Sequence, residues 1–255
     1  MEKSVSRALA PPGDKDQPDR AVRILRELPL ANIVCHTTNC AANEGDVVGV
    51  RGSREGGRQT RRALLDAATG LFLAQGVGVS VAQIAAAADA YPNQVTYYFG
   101  SKESLFVEAA CAAVLRAGQA AEDAAAHADT VRDYTEQLVG SLLGPAAPSV
   151  ELFTSAMLLA GRKPELRQRI TDTLRTLHVR GEAALLRTLV RTGWKLRTDI
   201  DVEAKAFWSA IFGLVIQKAA TGESFGYSLE EAVAVIFAGL QIPDTVLDTA
   251  LGSAS

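Results

Sequence analysis

Cysteine, histidine, methionine and tryptophan are scarce in this chain of 255 residues, at three, three, two and two. The cysteines, at 35, 40 and 111, are odd in number and sit in a chain too long to need covalent staples. A disulfide framework is therefore not expected, and a reducing compartment is. The start of the chain shows no secretory apolar core. No Ala/Leu-rich stretch reaches about 18 residues before Arg, Lys, Glu, Asp or Gln interrupts it, so no membrane span is expected. Both absences point to the cytoplasm. Catalytic equipment is missing as well. No nucleophile–base–orienter set is visible, and no glycine-rich phosphate loop follows a strand. Cys35, His36 and Cys40 form a C-H-x-x-x-C cluster, but zinc needs four ligands and no matching pair follows. The expectation is no enzyme, no cofactor and no metal.

What is present is ordinary globular material with an uneven charge. Hydrophobic residues make up 48% and charged residues 22%, which excludes wholesale disorder. The formal charge of −3 divides unequally. Residues 1–50 carry −1, residues 51–105 carry +2, and residues 106–255 carry −4. Five arginines (Arg51, Arg54, Arg58, Arg61, Arg62) stand against Glu55 within 51–62. A short basic arm before a near-neutral segment fits local contact with a polyanion, although a solvated helix face gives the same run.

The chain reads as three parts. Residues 1–55, with Pro11, Pro12, Pro18 and Pro29 and one short apolar patch, read as a disordered extension. Arginine outnumbers lysine nineteen to seven, as in a GC-rich genome where valine codons serve as starts; Val47, Val48 or Val50 is then an alternative first residue. From 58 to 241 the periodicity is helical, with no alternating run that demands a strand. Leu64, Leu65, Ala68, Leu71 and Phe72 mark a first helix. Ser80 caps a second, Pro92 opens a third near 92–98, and Ser101 caps a fourth that runs to about Gly118. Further helices fall near 129–143, 149–160, 164–192, 201–221 and 228–241, about nine in all. The fold class is all-α: an N-terminal three-helix helix-turn-helix domain (56–105) and a C-terminal helical bundle (106–255).

The second and third helices carry the information. The third is too short to stand alone, and Val95 would pack it against Leu65, Ala68 and Phe72. Its other face offers Asn93, Gln94, Thr96, Tyr97 and Tyr98. Amides can pair with adenine, a Thr methyl can meet a thymine methyl, and Tyr hydroxyls suit phosphate oxygens. A small polar helix on a protein–protein surface is the plainer alternative.

Residues 58–105, RQTRRALLDAATGLFLAQGVGVSVAQIAAAADAYPNQVTYYFGSKESL, resemble the DNA-binding domain of the tetracycline-repressor (TetR/AcrR) family of bacterial regulators. The resemblance rests on Ala67, Phe72 and Gly76, then Ser80 with Ile84-Ala85, then Tyr97-Tyr98-Phe99. The most specific match is Ser101-Lys102-Glu103-x-Leu105. It implies a homodimer that binds a double-stranded DNA operator, with phosphate contacts from Ser80, Tyr98 and Lys102 and base contacts from 92–97. With the basic arm, the candidate DNA-binding set is Arg58, Arg61, Arg62, Ser80, Gln83, Pro92, Asn93, Gln94, Thr96, Tyr97, Tyr98 and Lys102. Two departures stand out. Asp89 occupies the turn where relatives have Gly, and Tyr91 precedes Pro92 where relatives have a small hydroxyl residue.

In the bundle, candidate effector-lining residues are Phe106, Ala110, Cys111, Phe153, Met157, Leu177, His178, Trp208 and Phe212. For most of these, plain core packing is the simpler reading. A pocket among them would be apolar and suit a hydrophobic small molecule of unknown identity. The segments FWSAIFGLVIQKAA and LEEAVAVIFAGL are apolar around most of their circumference, as helices paired with their own copies in a dimer would be. The expected function is a ligand-responsive transcriptional regulator, a repressor released by an apolar molecule. The competing expectation is a helical interaction module of the same fold without sequence-specific DNA binding.

Overall fold

A computed structural model of the chain describes residues 48–222 and 226–251, with side chains from residue 55 onward. The proposed extension and the Cys35–His36–Cys40 cluster therefore lie almost wholly or wholly outside the described residues. Ten α-helices and two short 3-10 turns account for the described elements: α1 Val48–Gln75, α2 Val81–Ala87, α3 Pro92–Phe99, α4 Lys102–Ala125 and α5 Val131–Leu143, then α6 Ala147–Arg162, α7 Arg167–Thr192, α8 Ile200–Thr221, α9 Leu229–Leu240 and α10 Asp244–Leu247. The all-α class holds.

Local chemistry sets most boundaries. Ser80, Ser101, Thr130 and Ser228 each accept a backbone N–H in the first turn of the following helix. Gly100 sits at φ +77° between α3 and α4, a left-handed conformation that a Cβ would disfavour. α3 is capped although Tyr91 stands where relatives have a small hydroxyl residue. Gln94 reaches back one turn, and its Oε1 accepts the N–H of Tyr91 at 2.9 Å, so the helix entrance is closed without a Ser or Thr there.

Several expectations shift. α1 begins ten residues before the periodicity becomes readable. The 164–192 segment opens with a 3-10 turn at Pro164–Leu166 before α7, and α10 was not expected at all. α4 continues past Gly118 to Ala125. Trp208 and Leu177 lie 3.6–3.7 Å from where a Gly118 Cβ would be, an ordinary contact distance, so side chains of α8 and α7 cover α4 at this point.

The first three helices share one core. Leu64, Ala68 and Phe72 of α1 are buried with Ile84 of α2 and with Val95 and Phe99 of α3. This core runs directly into α4, because Phe72 and Phe106 meet edge to face with centroids 5.2 Å apart. The bundle continues around α4, which packs against α5, α6 and α7, while α8 closes on α6, α7 and α9. At the far end the backbone N–H of Leu251 donates to Asp129 O at 2.6 Å, tying the last described residue to the α4–α5 loop.

Candidate nucleic-acid interface

α2 and α3 are joined by Ala88–Tyr91, with Asp89 at φ +49° in the position a glycine usually takes. Val95 and Phe99 turn inward, leaving Asn93, Thr96 and Tyr97 exposed, with Gln94 and Tyr98 half-buried. Tyr97 is 81% exposed and Tyr91 76%. Nothing inside the fold requires aromatic rings so bare to water, whereas a nucleic-acid groove uses them. Tyr97 and Tyr98 stack edge to face at 4.9 Å, and the Tyr98 hydroxyl lies against Gly57 at the start of α1.

The amides expected to read bases are partly engaged. Gln83 Oε1 accepts both the backbone N–H and the hydroxyl of Ser80, at 2.8 Å each, completing a capping box at the start of α2. Its outward groups are the two Nε2 hydrogens. Gln94 is tied by its oxygen to Tyr91 in the same manner. Asn93 carries an exposed amide with both a donor and an acceptor.

The cations divide into two groups. Arg58 and Arg62 project from α1 with side chains 79% and 86% exposed, each in a loose 3.8 Å pair with an acid of its own helix, Glu55 and Asp66. Such pairs contribute little and leave both guanidinia available. Arg61 is turned inward instead. Its Nη2 donates to both carboxylate oxygens of Glu108 on α4, at 2.6 and 2.7 Å, and its guanidinium covers the Phe99 ring at 4.7 Å. Lys102 donates to Val77 O at 3.0 Å, fastening the turn after α1 to the start of α4. One further salt bridge ties this start to the bundle, Lys163 to Glu103 at 2.8 Å, which holds the Glu103 carboxyl below its ordinary range. Glu108 and Lys163 carried no sequence signal, since their partners stand 47 and 60 residues away. The two glutamine caps did carry one, a Ser or Tyr with Gln three residues on.

In the bundle the expected lining residues are mostly packed. Ala110 and Phe153 have no exposure, and Cys111, Leu177 and Trp208 are buried. Phe106 belongs to the α1–α4 seam through Phe72. Trp208 and Phe153 each meet Phe212, and Trp208 Nε1 donates to Leu177 O at 3.1 Å. Met157 is half-buried against this core. His178 stands apart at the α7–α8 seam, where partial burial and Lys205 lower its pKa. Burial raises the Cys111 pKa and keeps it a thiol, with Sγ 3.9 Å from Arg169 O. A half-buried carboxylate went unnoticed in the sequence: Glu122 accepts from Tyr134 and Arg187, both at 3.0 Å, with its pKa raised by desolvation. An open cavity of about 210 Å³ lies elsewhere, between α5, α8 and the start of α9, lined by Leu143, Leu214, Lys218, Tyr227 and Leu229. None of the expected lining residues borders it.

Comparison with known proteins agrees with this architecture. Residues 64–109 match the family model for bacterial regulatory proteins of the tetR family, and residues 131–237 match one described as a bacterial transcriptional repressor C-terminal domain. Among curated protein sequences none matches. A crystal structure described as a transcriptional regulator from Rhodococcus sp. RHA1 is 73% identical, with a TM-score of 0.70, covering 74% of this chain and 99% of that one. A multidrug binding protein, EbrR, solved with imidazole, is 25% identical with a TM-score of 0.52, covering 73% of this chain and 95% of that one. A TetR-family regulator from Rhodococcus sp. shares the fold at 18% identity and a TM-score of 0.57, covering 75% of this chain and 100% of that one. Among the described residues no single helix is long and apolar enough to cross a membrane. With a helix-turn-helix that bares its third helix, a bundle built on α4, both family models matched and 74% of its length covered by a 73% identical regulator, this chain belongs to the TetR family of bacterial DNA-binding transcriptional regulators.

Proposed function

We propose that the chain acts as a homodimeric repressor, with residues 56–105 binding an operator and residues 106–255 binding an apolar effector and forming the dimer. The observation that carries the DNA-binding half is α3 itself: Val95 and Phe99 anchor it in the core, while Asn93, Thr96 and Tyr97 face water. Such a face meets base edges in the major groove, and Arg58 and Arg62 supply phosphate contacts beside it. The matched description of a repressor C-terminal domain supports the direction of regulation. The multidrug binding neighbour, solved with imidazole, supports a small-molecule effector. The dimer reading rests on α8 and α9, which bury Ile211, Leu214, Val215, Val233 and Ile236 inward yet leave Ile216, Val235 and Ala238 exposed on the outside. Gly213 and Gly239 have open space where a Cβ would point, so a second backbone can approach.

Coupling follows from α4. An effector changes DNA affinity only by binding two dimer shapes unequally. α4 starts beside the DNA-binding domain at Lys102 and ends inside the bundle, so its tilt sets the separation of the two α3 helices. Titration of labelled duplexes, selected from a randomised library by the full-length chain, tests this reading. Sequence-specific binding that weakens steeply with salt is expected. Binding without sequence preference would leave only an interaction module.

A further inference from the structure

Arg61, Glu108 and Arg169 meet at one place where three helices of different duty converge. Glu108 lies on α4 with its side chain only 14% exposed. From one side Arg61 of α1 brings a single guanidinium nitrogen to both carboxylate oxygens, at 2.6 and 2.7 Å. From the other side Arg169, in the first turn of α7, donates to Oε2 at 3.1 Å. The Arg61 guanidinium also covers the ring of Phe99, the last residue of α3. A continuous chain of contacts thus runs from the effector bundle (α7) through Glu108 and Arg61 to the foot of the recognition helix.

We infer that Glu108 is a positioning residue for operator binding, acting through Arg61 and Phe99 to lock the angle of α3 against α7. This rests on the DNA-binding reading above and assigns Arg61 to the interior, not to phosphate. The chemistry suits a lock. A largely desolvated carboxylate held by two cations gives up much of its interaction when one partner leaves, so the arrangement resists small displacements. The flat guanidinium on Phe99 also adds a directional contact that a lysine cannot reproduce. α4 joins the domains as a lever; the triad, centred on Glu108 of that lever, fastens α7 and α1 to it and so gives α7 an added hold on α3.

The test uses the intact dimer and the library-selected duplex, with the spacing between half-sites varied by one and two base pairs. Half-sites must match the separation of the two recognition helices, so wild type should bind one spacing sharply. Glu108→Gln is nearly isosteric, and Arg169→Met removes only the α7 side. Both should weaken binding at the preferred spacing by about tenfold while leaving altered spacings nearly unaffected, which flattens the spacing profile. Arg61→Lys should behave alike, and none of the three should change the salt slope. Unchanged spacing profiles in Glu108→Gln and Arg169→Met would overturn the inference. So would an equal loss at every spacing that tracks a fall in Tm, the signature of mere stabilisation. An Arg61→Met slope lower by about 0.9 would return Arg61 to the phosphates and overturn it too. A wild type that selects no duplex would instead sink the DNA-binding reading and is distinct from all of these.

Discussion

Asp89 holds φ +49° in the turn between α2 and α3, a conformation costing an L-residue about 1–2 kcal/mol against glycine. Asp89→Gly should therefore stabilise the chain by about 0.5–1 kcal/mol after the extra entropy of an unfolded glycine is counted. Urea unfolding would show it, and a loss of stability would mean the Asp side chain contributes to the turn. Gln94 invites a paired experiment. Gln94→Ala removes the bond to Tyr91 N–H, at about 1 kcal/mol of stability, together with about 1–3 kcal/mol of base discrimination. Gln94→Glu keeps the acceptor and so should keep the melting temperature, while operator binding still falls. Equal melting temperatures in all three proteins would show that the cap is not made in solution. The departure at Asp89 was legible beforehand because a single backbone position has few options. The cap made by Gln94 was legible only as spacing, since Gln three residues into a helix is also an ordinary exposed amide.

Helix periodicity made α1 to α9 readable, and Pro and Gly marked most of their ends. Where it failed, a distant neighbour had overridden a local signal. Gly118 looked like a terminator, yet Leu177 and Trp208, which come from α7 and α8, fill the space beside it. An alanine Cβ there would sit at 3.6 Å from Trp208, an ordinary contact. Gly118→Ala should then strengthen α4 by about 0.5–1 kcal/mol, visible as a higher urea midpoint. If the midpoint falls, the α4–α8 approach is tighter than described. The same limit explains Arg61. Its sequence neighbours made it part of a basic arm, and only the fold brings Glu108, 47 residues on, within reach. The effector-lining set meets a related limit: apolar residues at helical spacing look the same whether they pack against each other or surround a ligand.

At the scale of the molecule, the outer faces of α8 and α9 are where a second copy is proposed to sit. Ile216→Asp places a charge on that exposed apolar face without touching the buried one. Sedimentation should show a monomer of unchanged helicity, and operator affinity should fall because one half-site contact cannot replace two. A dimer that persists would move the interface elsewhere.

The helix-turn-helix has one more property. α2 and α3 carry no charged side chain between them, and the exposed cations stand on α1. In the proposed DNA complex, attraction to the phosphate backbone and choice among base pairs would therefore fall to different helices. A rise in salt would loosen the hold on every duplex by a similar factor, through ion release at α1. The ratio between operator and competing genomic DNA, set by uncharged groups on α3, would hardly move. Occupancy would track the ionic state of the cell, while the address being read would stay the same.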